Sequence, residues 1–255
     1  MFEKLKAKTT ARKAYGNHIN GNQLIDKGDM VHAREKHAEA LRQYAEAYAA
    51  GLREARINMA YAVLLMRYDR SEEAKALLLE CEKMPGLDHK QKKQLLINYS
   101  VCQWKLGNID RAIELMESAG SNGMTATIYT TLGYYYVEKG HQTGDFEKAI
   151  EFSQKSMEYD DEDAGILDNV GQQYFFMGDH DKAYEYFAKA YNAKPTQVAT
   201  LYYIAYINVE RGNFEKANAF IDRCLEGNFS ALATITHAQA EQLKTQIESK
   251  LNTKE

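Results

Sequence analysis

Histidine, cysteine and acidic side chains could carry chemistry in this chain, but their spacing is not that of a catalytic or metal site. The seven histidines (18, 32, 37, 89, 141, 180 and 237) are scattered along 255 residues, and turn histidines such as His141 and His180 are expected in solvent-exposed loops. The acidic run 160–163 lacks the alternating ligands and the turn glycine of a calcium loop. Glycine-rich phosphate loops and the HExxH and G-x-S-x-G motifs do not occur in the sequence. The residue chemistry therefore predicts no catalytic residue, no metal site and no cofactor.

The chain has three cysteines, a small and odd number that does not indicate a disulfide framework. This count favours a reducing, cytoplasmic compartment. We expect Cys81 and Cys224 to be buried structural thiols, and Cys102 to be the one cysteine worth testing for reactivity. The run 160–163 is interpreted as a solvated loop, with a basic partner or weak binding of divalent cations as alternatives.

Composition indicates a nearly all-helical chain. Two prolines in 255 residues are under 1 %, against about 5 % on average, and proline breaks helix interiors. No apolar stretch is long enough to cross a membrane, and the opening residues are not those of a secretory signal. Residues 1–100 carry 18 basic and 13 acidic side chains, a balance of +5, and residues 101–255 carry 14 and 23, a balance of −9. Neither part has the basic density typical of nucleic-acid binding.

A short phrase recurs along the chain at intervals near 34 residues. Its clearest copy is Gly178-Asp-His-Asp-Lys-Ala183, with similar segments at 28–33, 107–112, 144–149 and 212–217, and a copy without its glycine at 69–74. Glycine tolerates the left-handed conformation after a helix, Asp or Asn caps the next helix, and alanine provides a small packing residue. The phrase predicts a helix–turn–helix hairpin in six copies.

The flanking residues complete a known pattern. Residues 164–197 combine Leu167, Val170, Gly171 and Tyr174 before the turn with a second set after it: Ala183, Phe187, Ala190 and Pro195. The pattern resembles the tetratricopeptide repeat (TPR). The resemblance covers about residues 14–231 and implies an all-α fold, a right-handed superhelical solenoid of helical hairpins with a C-terminal capping helix.

The repeat arithmetic divides the chain into a basic N-terminal segment at 1–13, six repeats, and a capping helix and tail at 232–255. The repeats are 14–54, 55–92, 93–125, 126–163, 164–197 and 198–231. The first repeat requires seven extra residues in its second helix. The fourth requires four extra residues, His141 to Gly144, which we place in its turn.

In similar proteins the first helices of successive hairpins line a concave groove that receives a partner segment. By repeat register, the groove residues here are Met59, Val63, Met66, Arg67, Ile97, Val101, Trp104, Lys105, Tyr134, Glu138, Asp168, Gln172, Phe175, Phe176, Tyr202 and Tyr206. This set is apolar and aromatic, with basic residues in the earlier repeats and acidic ones in the later repeats. The known clamp for C-terminal carboxylates is not expected, because His18, Ala60 and Gln94 replace its Lys, Asn and Lys.

The resulting hypothesis is a non-catalytic, cytoplasmic adaptor or scaffold, not an enzyme, that binds a peptide or protein segment with apolar anchors in this groove. The partner segment is expected to be acidic where it meets the second and third repeats. A second possibility is that the aromatic stripe packs against the chain's own tail helix or against a second copy in a homo-oligomer. A third is a regulatory subunit of an enzyme complex. Nucleic-acid and membrane partners are not expected.

Overall fold

A computed structural model describes residues 2–229 and 233–252, and these residues form thirteen α-helices. Twelve of them pair consecutively into six hairpins, and the thirteenth follows the last hairpin. The helices are α1 (Phe2–Asp26), α2 (Met30–Ala49), α3 (Ala55–Arg67), α4 (Ser71–Glu82), α5 (His89–Lys105), α6 (Ile109–Gly120), α7 (Ala126–Thr143), α8 (Glu147–Tyr159), α9 (Ala164–Phe176), α10 (His180–Ala193), α11 (Val198–Glu210), α12 (Phe214–Leu225) and α13 (His237–Asn252). The predicted all-α class and the hairpin repeat are confirmed.

Contacts divide the chain into two compact units. Unit 1 extends to Ala119 and unit 2 begins at Gly120. Within each unit, a first helix packs on its own partner helix and on the first helix of a neighbouring hairpin, as α9 packs on both α7 and α11 in unit 2.

The recurring phrase forms the turn inside each hairpin. Gly178, between α9 and α10, has φ +86°, a left-handed conformation that residues with a Cβ seldom adopt. The next residue, Asp179, caps α10 by accepting a hydrogen bond from the backbone N–H of Lys182 at 3.1 Å. The glycine and the aspartate therefore have the roles that the sequence pattern predicts for them.

The copy without a glycine has the same backbone. Asp69 lies between α3 and α4 with φ +56°, where the other copies have glycine. Its exposed carboxylate forms an ion pair with the Nζ of Lys105 at 3.4 Å, a surface contact of small energetic weight.

Replacing Asp69 by glycine is therefore expected to stabilise the protein by roughly 0.5–1 kcal/mol, because glycine removes the left-handed strain and the lost ion pair offsets little. Urea unfolding of Asp69→Gly beside Asp69→Ala measures the effect. The alanine variant keeps the strain and loses the ion pair, so it is expected to be less stable than the wild type. A glycine variant no more stable than the alanine variant would contradict this explanation.

The first hairpin is longer than the others at both of its helices. α1 has 25 residues and α2 has 20, where most of the other helices have 12 to 14. Residues 2–13, predicted as a segment before the repeats, are the first half of α1. Ala7 and Ala11 of that half are buried against Ala47 and Leu52.

The sequence analysis placed the four extra residues of the fourth repeat in a turn, but three of them lie on a helix and Gly144 alone of the four lies in the turn. α7 continues through Thr143 and ends at Gly144, which has φ +77°. The insertion lengthens the first helix by about one turn, since a helical turn takes 3.6 residues. The side chain of His141 is therefore on a helix and not in a loop.

The last helix covers the end of unit 2, as a capping helix should. Ala240, Leu243 and Ile247 of α13 are buried in one apolar cluster with Ile221 and Cys224 of α12. The predicted cap thus begins at His237, while residues 230–232 and 253–255 lie outside the described part of the chain.

Candidate functional site

The sixteen predicted groove residues divide equally between the two units, eight before Ala119 and eight after Gly120. Ten of the sixteen are partly buried. The other six are buried below a tenth of their surface: Met59, Met66, Val101, Tyr134, Asp168 and Gln172. These six belong to the interior of their units more than to an open surface.

In unit 1 the predicted groove residue Arg67 points back towards the first hairpin. Its Nη1 donates to Asn22 Oδ1 at 3.1 Å and lies 3.0 Å from Nδ1 of the His37 ring. Burial lowers the pKa of this guanidinium, and its Nε is buried without a hydrogen-bond partner. Among the described residues Arg67 forms no ion pair with a carboxylate.

Two histidines form a buried pair beside that guanidinium. The His18 and His37 rings meet edge to face at 5.5 Å, and the Tyr44 hydroxyl lies 3.4 Å from His18 Nδ1. Burial and the neighbouring positive charge lower the pKa of each histidine to about 4. A Cβ on Gly21 would fall 2.3 Å from the His37 ring, so glycine is needed for the pair to fit. At neutral pH the pair is an uncharged part of the core.

The remaining basic groove residue of unit 1 is also engaged within the chain. Lys105 Nζ forms the ion pair with Asp69 and lies 5.9 Å from the centre of the Trp104 ring. The positive charges that suggested an acidic partner segment therefore already have internal contacts.

In unit 2 the structure brings six of the eight predicted residues together around one cavity of about 330 Å³. The cavity lies on the first helices α7, α9 and α11. The six are Tyr134, Glu138, Phe175, Phe176, Tyr202 and Tyr206, and Tyr203 and His141 complete the protein wall on these helices. We call this feature the aromatic cavity.

The aromatic rings around the cavity hold one another in fixed orientations. The Phe175 ring is perpendicular to Tyr206 at 5.3 Å and to Phe176 at 5.6 Å, and it lies 4.9 Å from Tyr203. Edge-to-face pairs of this kind are favourable beyond the area they bury. The wall of the aromatic cavity is therefore preformed.

Two histidines that the sequence analysis assigned to solvent-exposed loops border these rings. His141 stacks on Phe176 at 4.0 Å, and His180 stacks on Phe175 at 4.6 Å. His180 Nδ1 also lies 2.6 Å from a carboxylate oxygen of Glu210 on α11. The extra turn of α7 brings His141 to this position, which the repeat register alone does not indicate.

Asp168 and Gln172 lie beneath the surface of unit 2. The Asp168 carboxylate is 4 % exposed and accepts hydrogen bonds from Thr200 Oγ1 at 2.5 Å and Gln172 Nε2 at 2.6 Å. Burial raises the pKa of Asp168 to about 6, although both hydrogen bonds oppose the shift. Its role in the structure is to join α9 to α11 below the aromatic cavity.

The start of α13 and the residues just before it lie on the aromatic cavity. Thr234, Ile235 and Gln239 line it together with the aromatic rings, and Ile235 is 4 % exposed. Thr234 Oγ1 accepts a long hydrogen bond, 3.4 Å, from Gln172 Nε2. In unit 2, the predicted aromatic residues are thus in contact with the chain's own C-terminal part, the second possibility that the sequence analysis raised.

The acidic run 160–163 forms a capping loop, as expected of a connection between hairpins. Asp160 Oδ1 accepts from the backbone N–H groups of Glu162 and Asp163 at 3.0 Å, and Asp163 caps α9. Over the residues that the structure describes, no group of three or more His, Cys, Asp or Glu side chains is arranged to hold a metal ion.

All three cysteines are buried thiols, including Cys102, which the sequence analysis set apart. Burial raises the pKa of Cys81 and Cys102 to about 11 and that of Cys224 to about 12. Cys102 Sγ donates to the carbonyl of Ser71 at 3.2 Å. The thiolate, which is the reactive form, is disfavoured at each of them.

The fold is similar to that of known helical-repeat proteins. Residues 164–197, which include α9 and α10, match the family model described as tetratricopeptide repeat. A thermophilic TPR protein of Thermus thermophilus superposes with a TM-score of 0.61 at 19 % identity, over 78 % of this chain and 100 % of that chain. A chain of the APC/C hetero-tetramer Cut9–Hcn1 gives 0.58 at 14 % identity, over 92 % and 46 %. At these identities the likeness concerns the fold.

One curated relative matches part of the chain. The BBSome complex member BBS4 of Bos taurus is 27 % identical over 120 residues, which are 47 % of this chain. The match spans 22 % of that protein. None of the described helices has the length and apolar character needed to cross a membrane.

Proposed function

We propose that this chain, a tetratricopeptide repeat protein, is an interaction scaffold that holds a segment of another protein against the aromatic cavity of unit 2. The observation that carries the proposal is a preformed cavity of about 330 Å³ walled by aromatic side chains from three successive first helices, four of which are partly buried. Aromatic anchors of this kind carry much of the binding energy at protein interfaces. Two similar proteins are named as members of assemblies, the BBSome and the APC/C, which supports a protein partner.

The proposed contact is apolar and requires no chemistry from the chain. Glu138 at the cavity accepts hydrogen bonds from Gln142 Nε2 at 2.9 Å and from the Tyr134 hydroxyl at 3.3 Å, both on its own helix. Asp168 is sealed below the wall. A partner would gain affinity mainly by covering ring surface, which contributes about 25 cal/mol per Å² of apolar area removed from water.

The groove residues of unit 1 form a second proposed contact region, which differs from the aromatic cavity because it includes basic side chains. Arg67 and Lys105 make internal contacts, while Trp104, Val63 and Ile97 remain partly buried. We expect this region to contact a protein partner as well, in a cytoplasmic setting. A homo-oligomer is the alternative use of the same surfaces.

Capture from an extract of the source organism tests the proposal, with the full-length chain as bait. Tyr206→Ala removes a ring from the cavity wall and is expected to weaken capture of a specific partner by about 30-fold, the equivalent of 2 kcal/mol. Tyr184→Ala is the matched control, because Tyr184 is a partly buried tyrosine of α10 that contacts Arg211 and Lys216 and does not line the cavity.

The proposal requires that a partner be lost from the Tyr206→Ala bait and retained by the wild type and by Tyr184→Ala, with similar melting temperatures for all three. Equal retention by all baits contradicts binding at the cavity. A wild-type bait that captures only its own copies, with a molecular mass in light scattering that rises with concentration, favours the homo-oligomer instead.

A further inference from the structure

One aliphatic side chain from outside the first helices forms part of the wall of the aromatic cavity. Ile235 is buried in the apolar cluster of unit 2 that contains Tyr203, Phe187 and Ile207 and against which Phe175 and Tyr202 pack. The described residues on either side of it are small and polar, Thr234 and Thr236. The wall rings thus pack against an aliphatic side chain that lies between two threonines in the sequence.

The backbone that presents Ile235 is shaped by the start of α13. Thr236 Oγ1 accepts from the backbone N–H of Gln239 at 3.2 Å, and Gln239 Oε1 accepts from the backbone N–H of Thr236 at 2.8 Å. This reciprocal capping box sets the direction in which the chain enters the helix. The residue before Thr236 is directed to the cavity as a consequence.

α13 is held on unit 2 by contacts that do not involve Ile235. Leu243 and Ile247 pack on α12, and Lys244 Nζ donates to Asp222 at 2.6 Å and to Asn218 at 2.7 Å. The polar contact beside Ile235, in contrast, is the long hydrogen bond between Gln172 and Thr234. The anchorage of α13 on α12 therefore does not depend on the position of the Ile235 side chain.

We propose that Ile235 is a built-in competitor for the partner segment and that the partner presents a β-branched aliphatic side chain, flanked by small polar residues, which takes its place. The inference rests on the proposed function and adds the chemistry of the ligand and its regulation. Most of the wall is aromatic, and its carboxylate, that of Glu138, accepts hydrogen bonds from Tyr134 and Gln142 of the same helix. An aliphatic side chain is the ligand that this wall already accommodates.

A tethered competitor lowers the apparent affinity of a partner by the fraction of molecules in which the cavity is open. A short tether keeps the effective concentration of the competitor in the millimolar range. Removing the Ile235 side chain is thus expected to increase affinity for an aliphatic ligand by about tenfold or more.

Two-dimensional NMR titration of the full chain tests the inference. The probe is the acetylated, amidated peptide Ala-Thr-Ile-Thr-His, the sequence of residues 233–237, and its control is the same peptide with Ile235→Asp. The proteins are the wild type, Ile235→Ala and Ile247→Ala. The last is a matched control, because Ile247 is an equally buried isoleucine that anchors α13 outside the cavity.

The inference requires shifts in α9 and α11 amides with the isoleucine peptide, at least tenfold tighter binding to Ile235→Ala than to the wild type, and wild-type affinity in Ile247→Ala. Equal affinity for wild type and Ile235→Ala overturns the competitor, and equal gains in both variants show a loosened cap instead. No binding to any of the chains overturns the aliphatic ligand. Each of these failures leaves the partner-capture result with Tyr206→Ala as a separate test of the scaffold function.

Discussion

Acidification from about pH 7 to about pH 4 is expected to destabilise unit 1 by roughly 2–3 kcal/mol for each of two histidines. His18 and His37 are 6 % and 2 % exposed, and their pKa values are lowered from the ordinary 6.5 to about 4. Between these values the unfolded chain binds protons that the folded chain excludes. The stabilisation is therefore complete above about pH 6.5, declines as the pH falls towards 4, and levels off below.

Trp104 provides the measurement, because it is the only tryptophan of the chain and lies in unit 1. Urea unfolding followed by its fluorescence at several pH values gives the slope of the free energy of unfolding against pH. His18→Gln keeps a hydrogen-bond acceptor near Tyr44 but does not titrate, so about half of the slope is expected to disappear. His89→Gln, which alters an exposed histidine at the start of α5, is the comparison variant. A wild-type stability that is flat between pH 6.5 and 4 would contradict the assignment.

Unit 2 contains a group whose titration acts in the opposite direction over the same range. The pKa of Asp168 is raised from 3.8 to about 6, so folding favours its protonated form. Its contribution is complete below about pH 4 and is lost as the pH rises through 6. Ellipticity at 222 nm reports the unfolding of both units, so it would combine the two opposite pH effects, whereas Trp104 fluorescence reports unit 1. In an Asp168→Asn variant the pH effect of Asp168 is absent, so the ellipticity then shows the effect of the histidines.

The features that sequence could predict are those that recur with the repeat. The turn at Gly178 and Asp179 depends on local backbone chemistry, and the same local rule extends to Asp69, whose positive φ replaces that of glycine. The residues of the aromatic cavity could be predicted from the sequence for a related reason. Tyr134, Phe175 and Tyr206 occupy corresponding faces of first helices, so repeat register alone brings them together.

The features that sequence missed depend on departures from the repeat. His141 borders the cavity because α7 is longer than its counterparts, and Ile235 reaches it from a connection outside any repeat. The repeat register also predicts the same groove position for every inward-facing residue. Arg67 and Asp168 instead form hydrogen bonds with residues of other helices, which hold their side chains inside the units. The signal for Ile235 was present in part, as an isolated aliphatic residue between threonines just before the capping helix.

Replacement of Gly171 by leucine is expected to destabilise unit 2 by about 3 kcal/mol or more, because overpacking of a tight core forces side chains and backbone apart. A Cβ at this position would lie 2.7 Å from two atoms of the Phe187 ring. That ring is fully buried and parallel to Tyr203 at 5.1 Å, so it cannot move without displacing a wall residue of the aromatic cavity. The same close approach that makes the hairpin stack also positions Phe175, one helical turn further along α9.

Gly16→Leu is the matched control for this substitution. Gly16 is an exposed helical glycine with nothing within 4 Å of its Cβ position, so leucine there is expected to gain up to about 1 kcal/mol of helix propensity. Thermal unfolding followed by ellipticity, with Trp104 fluorescence as the record of unit 1, separates the two outcomes. Gly171→Leu should lose ellipticity before the Trp104 signal changes and should also lose capture of the partner. A Gly171→Leu protein as stable as the wild type would show that α9 and α10 can separate without cost, and the preformed cavity wall, which depends on their close packing, would no longer be a sound basis for the scaffold function.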